Sequence, residues 1–186
     1  MWNLANVLTM SRLVLVPVFV VALFVRDGTD PAWRVAAAVI LGIASITDRF
    51  DGDLARRRGQ VTDFGTIADP IADKALIGSA LVGLSLLGEL SWWITLLIVA
   101  RELVVTALRF WVLRYGVIAA SRGGKVKACA QSVAIVLYVL PLPVTAYPVR
   151  WVVLGVAVVL TVVTGIDYMV RALRLRASGR GAIALP

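Results

Sequence analysis

Six long apolar stretches follow one another along the 186-residue chain, separated by short polar breaks. They fall at roughly 7–25, 32–48, 65–87, 92–115, 125–142 and 148–173, and each is about the length a helix needs to cross a bilayer. Hydrophobic residues make up 60% of the sequence, charged residues 16%, and mean hydropathy is +0.91. A soluble domain usually holds only ~45–50% apolar residues. The pattern predicts one all-α integral membrane domain with six transmembrane helices. Met1–Asn6 reads as a short interfacial lead-in carrying Trp2. The first stretch is too long for a signal-peptide core, and no A-x-A site follows before Asp27, so it reads as a retained helix. From Arg174 to Pro186 the sequence predicts a loose tail.

Charge orients the spans. Arg56, Arg57, Arg58, Arg114, Arg122, Lys125, Lys127, Arg171, Arg174, Arg176 and Arg180 fall on the side of the termini. Arg26, Arg34 and Arg150 fall on the other. The positive-inside rule then puts both termini in the cytoplasm. The net charge of +8 suits anionic lipid, and no soluble basic module suggests nucleic-acid binding. The chain has one cysteine, Cys129, and no histidine. That excludes an internal disulfide, cysteine-rich metal sites, histidine bases and most catalytic triads. Any metal held here must suit oxygen ligands, as Mg²⁺ and Mn²⁺ do.

One polar run breaks the apolar rhythm. Thr47–Lys74 contains Asp48, Asp51, Asp53, Asp63, Asp69 and Asp73, more than half of the chain's eleven acids. Asp48 and Asp51 are spaced to share one helix face, as are Asp69 and Asp73. Gly52, Ala55 and Arg56 continue the first face: two small residues that allow close approach, then a guanidinium suited to phosphate. Gly65 lies one turn before Asp69. Four carboxylates brought together would repel one another unless divalent cations joined them. The ordinary alternative is helix capping and surface pairing with Arg49, Arg57 and Lys74. That alternative weakens for four acids at helical spacing near a membrane surface.

The pattern Asp48-x2-Asp51-Gly52-x2-Ala55-Arg56-x8-Gly65-x3-Asp69-x3-Asp73 resembles the full signature of the CDP-alcohol phosphotransferase family. Six apolar spans with this motif across the second and third extend the resemblance over nearly the whole chain. The resemblance implies transfer of a phosphatidyl group from a CDP-linked lipid to an alcohol, with release of CMP. It implies two divalent metals, Mg²⁺ or Mn²⁺, on Asp48, Asp51, Asp69 and Asp73, with Asp73 also the general base. Gly52, Ala55 and Arg56, with Asp48, Gly65 and Thr9, would seat the CDP-lipid. It also implies a homodimer in the bacterial cytoplasmic membrane, with the active site facing the cytoplasm.

Three further stretches bear on the acceptor: Asn6-x2-Thr9-x2-Arg12, Arg101-Glu102-x3-Thr106-x2-Arg109, and Gly124-Lys125-x-Lys127-x3-Gln131. They place many cations around the carboxylates, which suits an acceptor bearing its own phosphate. They resemble the corresponding stretches of bacterial phosphatidylglycerophosphate synthases, although Ala128 stands where that pattern has threonine. The resemblance implies sn-glycerol 3-phosphate as acceptor, its phosphate held by Arg101, Arg109, Lys125, Lys127 and Arg12. Each cation also has a plainer reading: a buried ion pair for Arg101-Glu102, lipid headgroup contact for the lysines, snorkelling for Arg12. Rival assignments are a cardiolipin synthase or phosphatidylinositol phosphate synthase within the family, a small ion transporter, and a non-catalytic scaffold.

Overall fold

A computed structural model describes residues 4–57, 63–112 and 122–183, with side chains for 10–47, 71–72, 74–112 and 123–177. Among the described residues every regular element is helical: α1 (Leu4–Phe24), α2 (Pro31–Arg57), α3 (Asp63–Leu86), α4 (Trp92–Val112), α5 (Arg122–Val139) and α6 (Tyr147–Ile183). Short 3₁₀ turns at Val25–Gly28 and Val144–Ala146 join α1 to α2 and α5 to α6. Six helices thus match the six apolar stretches, with boundaries within a few residues at most ends. On length and composition alone, one stretch, Val144–Ala177, qualifies to cross a membrane among the described residues. Pro31–Thr47 and Lys74–Leu86 are apolar but shorter.

The turns show why the chain reverses where it does. Asp30 Oδ1 accepts from the backbone N–H groups of Ala32 (3.0 Å) and Trp33 (3.3 Å), capping α2 just before Pro31 at its first position. Arg26, Asp27 and Gly28 all have positive φ, 50°, 55° and 71°. A Cβ on Gly28 would stand 2.7 Å from Leu87 Cδ1, so both conformation and space require glycine there. Gly88, with φ 74°, makes the tight turn after α3.

Helix α1 packs on α2 and α3, α4 on α3 and α6, and α5 on α2, α3 and α6. Phe19, Leu23, Leu41, Leu81, Leu84, Ile98 and Tyr138 are buried in one apolar cluster. At Gly83 an added Cβ would come within 2.6 Å of Leu23 Cδ2, so the missing side chain lets Leu23 of α1 pack directly on the α3 backbone.

Arg34 locks one end of the bundle. It is 4% exposed. Its Nη1 and Nη2 donate to Glu89 Oε1 (2.5 Å) and Oε2 (2.8 Å), in the α3–α4 turn. Its Nε and Nη2 also donate to the carbonyls of Val139 and Tyr138, both at 2.7 Å, at the C-terminal end of α5. One guanidinium therefore satisfies carbonyls that the helix end leaves open and a carboxylate from another element.

The tail differs from the expected loose segment. Helix α6 continues to Ile183. No proline follows Pro148 until Pro186, and Arg171, Leu173, Arg174 and Arg176 are good helix formers. Arg171 pairs with Asp167 one turn back at 2.9 Å, and the Arg176 guanidinium stacks over the Trp111 ring of α4 at 4.7 Å.

Candidate active site

Because the helices alternate in direction, the end of the bundle opposite Arg34 gathers the start of α3, the start of α5 and the ends of α2, α4 and α6. The acidic motif belongs to that end. Asp48, Asp51, Gly52, Ala55 and Arg56 are in the last turns of α2, and Gly65, Asp69 and Asp73 in the first turns of α3. Their side chains, and that of Thr9 on α1, lie outside the described residues. The donor chemistry of this set is carboxylate alone, in a chain without histidine. Such a set fits a hard divalent cation rather than zinc or copper.

Next to the motif the side chains are described. Lys74 follows Asp73 directly and lines a pocket of about 130 Å³ between α3, α4 and α5. Ile77, Gly78 and Leu81 form the α3 wall, Ile98, Val99, Glu102 and Leu103 the α4 wall. Lys127, Ala128, Gln131 and Ser132 complete it from α5. The walls are mostly apolar, with a few converging polar groups, the usual build of a small-molecule site.

Glu102 organises the polar part. Its Oε1 accepts from Lys127 Nζ at 2.5 Å and from Arg101 Nη1 at 2.8 Å. Lys127 is 5% exposed, so its charge depends on Glu102 to be tolerated at this depth. Arg101 also donates from Nε to the carbonyl of Thr161 (3.1 Å) and from Nη2 to Thr164 Oγ1 (2.8 Å) on α6. Gly165 makes room for it: a Cβ there would lie 3.2 Å from Arg101 Cγ and Nε. Arg101 is thus a tie between α4 and α6 that also steadies Glu102. Nε, Nη1 and Nη2 of Arg101 thus each have a protein acceptor, in keeping with the plainer buried-pair reading of Arg101-Glu102.

The other expected acceptor residues are spread over the same end. Arg12 on α1 is buried, and Lys125 and Arg109 are exposed. Thr106, one turn after Glu102, turns its hydroxyl back to the Glu102 carbonyl at 2.7 Å. Lys127 is the cation that the structure brings into the pocket together with Lys74. Lys74, expected only as a partner for the acids, lines this pocket too, beside Glu102 and Gln131 of the stretches that bear on the acceptor. The i, i+4 spacing of Lys127 and Gln131 sets both on one face of α5.

Residues 2–163 match the family model described as CDP-alcohol phosphatidyltransferase. A probable phosphatidylglycerophosphate synthase of Mycobacterium tuberculosis (strain CDC 1551 / Oshkosh) is 59% identical over 172 residues, 92% of this chain and 82% of that protein. The CDP-diacylglycerol–glycerol-3-phosphate 3-phosphatidyltransferase of Bacillus subtilis (strain 168) is 37% identical over 181 residues, 90% of this chain and 94% of that protein. The Escherichia coli (strain K12) enzyme of the same name is 42% identical over 142 residues, 72% and 75% of the two chains. With a matching model over most of its length and relatives at these identities, the chain belongs to the CDP-alcohol phosphatidyltransferase family.

Proposed function

We infer that the chain is a membrane transferase that moves the phosphatidyl group of CDP-diacylglycerol to sn-glycerol 3-phosphate, giving phosphatidylglycerol phosphate and CMP. The observation that carries this reading is the 59% identity to a probable phosphatidylglycerophosphate synthase across 92% of the chain. The cation-bearing pocket beside the acidic motif supports it, since an acceptor with its own phosphate needs such cations.

In this reading Asp73 takes the proton of the acceptor's primary hydroxyl. The hydroxyl oxygen bonds to the phosphorus next to diacylglycerol, and the bond from that phosphorus to the oxygen of CMP breaks. Asp48, Asp51, Asp69 and Asp73 would hold two divalent ions, Mg²⁺ or Mn²⁺, which when bound neutralise charge on the diphosphate. Gly52 and Ala55 let the nucleotide approach the helix backbone, with Arg56, Gly65 and Thr9 completing its seat. Lys127 and Lys125, with Arg109 and Arg12, take the acceptor phosphate. Arg101 acts from behind, through Glu102.

All six helices would cross the cytoplasmic membrane, with the acidic end and both termini inside. Two features support this placement. Trp33, Trp92, Trp93, Tyr147 and Trp151 are exposed near the starts of α2, α4 and α6, the opposite end of the bundle, as an interfacial aromatic belt would be. Val149, Val152, Val156, Val159, Val163 and Ile166 are exposed along α6, a face suited to lipid. A homodimer within the membrane is part of the same reading.

Purified protein given CDP-diacylglycerol and one acceptor at a time tests the assignment. CMP release should require sn-glycerol 3-phosphate. Release with phosphatidylglycerol or an inositol phosphate, and none with sn-glycerol 3-phosphate, would move the chain to another branch of the family.

A further inference from the structure

Gln131 is a buried polar residue whose side-chain oxygen no described residue satisfies. It is 3% exposed, lines the pocket one turn after Lys127, and its Oε1 has no hydrogen-bond partner among the described residues. Leaving a buried carboxamide oxygen unpaired is costly, so such a group calls for a partner from outside the chain, a water or a ligand that displaces it. The neighbouring polar groups are engaged: Lys127 with Glu102 at 2.5 Å, Ser132 with the carbonyl of Ala128 at 3.0 Å. A carboxamide presents an acceptor and a donor side by side, and a hydroxyl is the neutral group that can meet either. A phosphate dianion has no proton to give to an amide oxygen. The cavity of about 130 Å³ has room for a small polyol phosphate beside the lysines.

We propose that Gln131 is a specificity residue of the acceptor site, accepting a hydrogen bond from the hydroxyl of the polyol phosphate that does not react. The inference rests on the acceptor reading given above. With sn-glycerol 3-phosphate the primary hydroxyl attacks, its proton goes to Asp73, and the secondary hydroxyl remains for Gln131. The lysines fix the phosphate, the metal-side carboxylates fix the attacking end, and Gln131 reads the carbon between. A site built to bond a hydroxyl discriminates against an analogue that lacks it, because its own buried group is then left unpaired.

The test compares kcat/KM for sn-glycerol 3-phosphate and for 3-hydroxypropyl phosphate, which lacks only the secondary hydroxyl. The unaltered enzyme should prefer sn-glycerol 3-phosphate by roughly tenfold or more. Gln131→Met should bring the ratio to within about twofold, by losing rate with the natural acceptor while keeping it with the analogue. Gln131→Glu, which keeps an accepting oxygen, should retain the preference even if both rates fall. No preference in the unaltered enzyme overturns the inference, as does an unchanged ratio in Gln131→Met. Should Gln131→Met be inactive with both acceptors, loss of the preference in Gln131→Glu overturns it and retention supports it. Failure of the unaltered enzyme to use sn-glycerol 3-phosphate at all would instead sink the acceptor assignment.

Discussion

At the scale of single residues, Glu102 decides how the pocket's charges are arranged. It holds Lys127, which faces the pocket, and Arg101, which faces α6. Glu102→Ala leaves two cations without their shared carboxylate. We predict that kcat/KM for sn-glycerol 3-phosphate falls by about tenfold or more, while KM for CDP-diacylglycerol changes by less than about twofold. Equal losses for both substrates would mean that Glu102 supports the fold rather than the acceptor. Arg109→Ala should likewise raise the acceptor's KM more than the CDP-lipid's, and an equal rise for both would count against a phosphate contact. The pairings of Arg101 and Glu102 were not legible in the sequence. Adjacent opposite charges suggest a pair, but Thr161 and Thr164 lie 60 and 63 residues away, and only helix packing brings them in. The acidic motif was legible, because its spacing within α2 and α3 follows the turn of one helix.

At the scale of elements, the Arg34 lock holds α2, the α3–α4 turn and the end of α5 together. Removing it as Arg34→Met leaves Glu89 and two helix-end carbonyls unpaired. Breaking one side of a buried pair costs about 3–5 kcal/mol. The melting temperature in detergent should drop clearly, while the acceptor's KM in the remaining folded protein stays the same. An unchanged melting temperature would show that the lock contributes little. Hydropathy placed six helices well, since each apolar stretch had to bury or face lipid over a similar length. It missed the extension of α6 to Ile183, because the arginines there read as a polar tail. What holds them is local and tertiary: the Asp167 pair and the Trp111 ring. The Arg34 lock was also beyond reach, since Glu89 lies 55 residues along the chain and a lone arginine near a helix start reads as a surface charge.

At the scale of the whole molecule, the bundle has two unlike ends. One is ringed with exposed aromatics and closed by Arg34, and the other carries the acidic motif, the lysines and the arginines. In a Cys129→Ser background, Trp93→Cys should react in intact cells with a thiol reagent that cannot cross the membrane, and Ala177→Cys only after lysis. The opposite pattern would invert the orientation. At the polar end, in the reading proposed above, the carboxylates with divalent ions move a phosphatidyl group. The most direct measurement of that claim is CMP release by purified Asp73→Asn protein at saturating Mg²⁺ and sn-glycerol 3-phosphate. Loss of the proton-accepting carboxylate should lower turnover at least ~10²–10⁴-fold. Undiminished turnover would contradict the account.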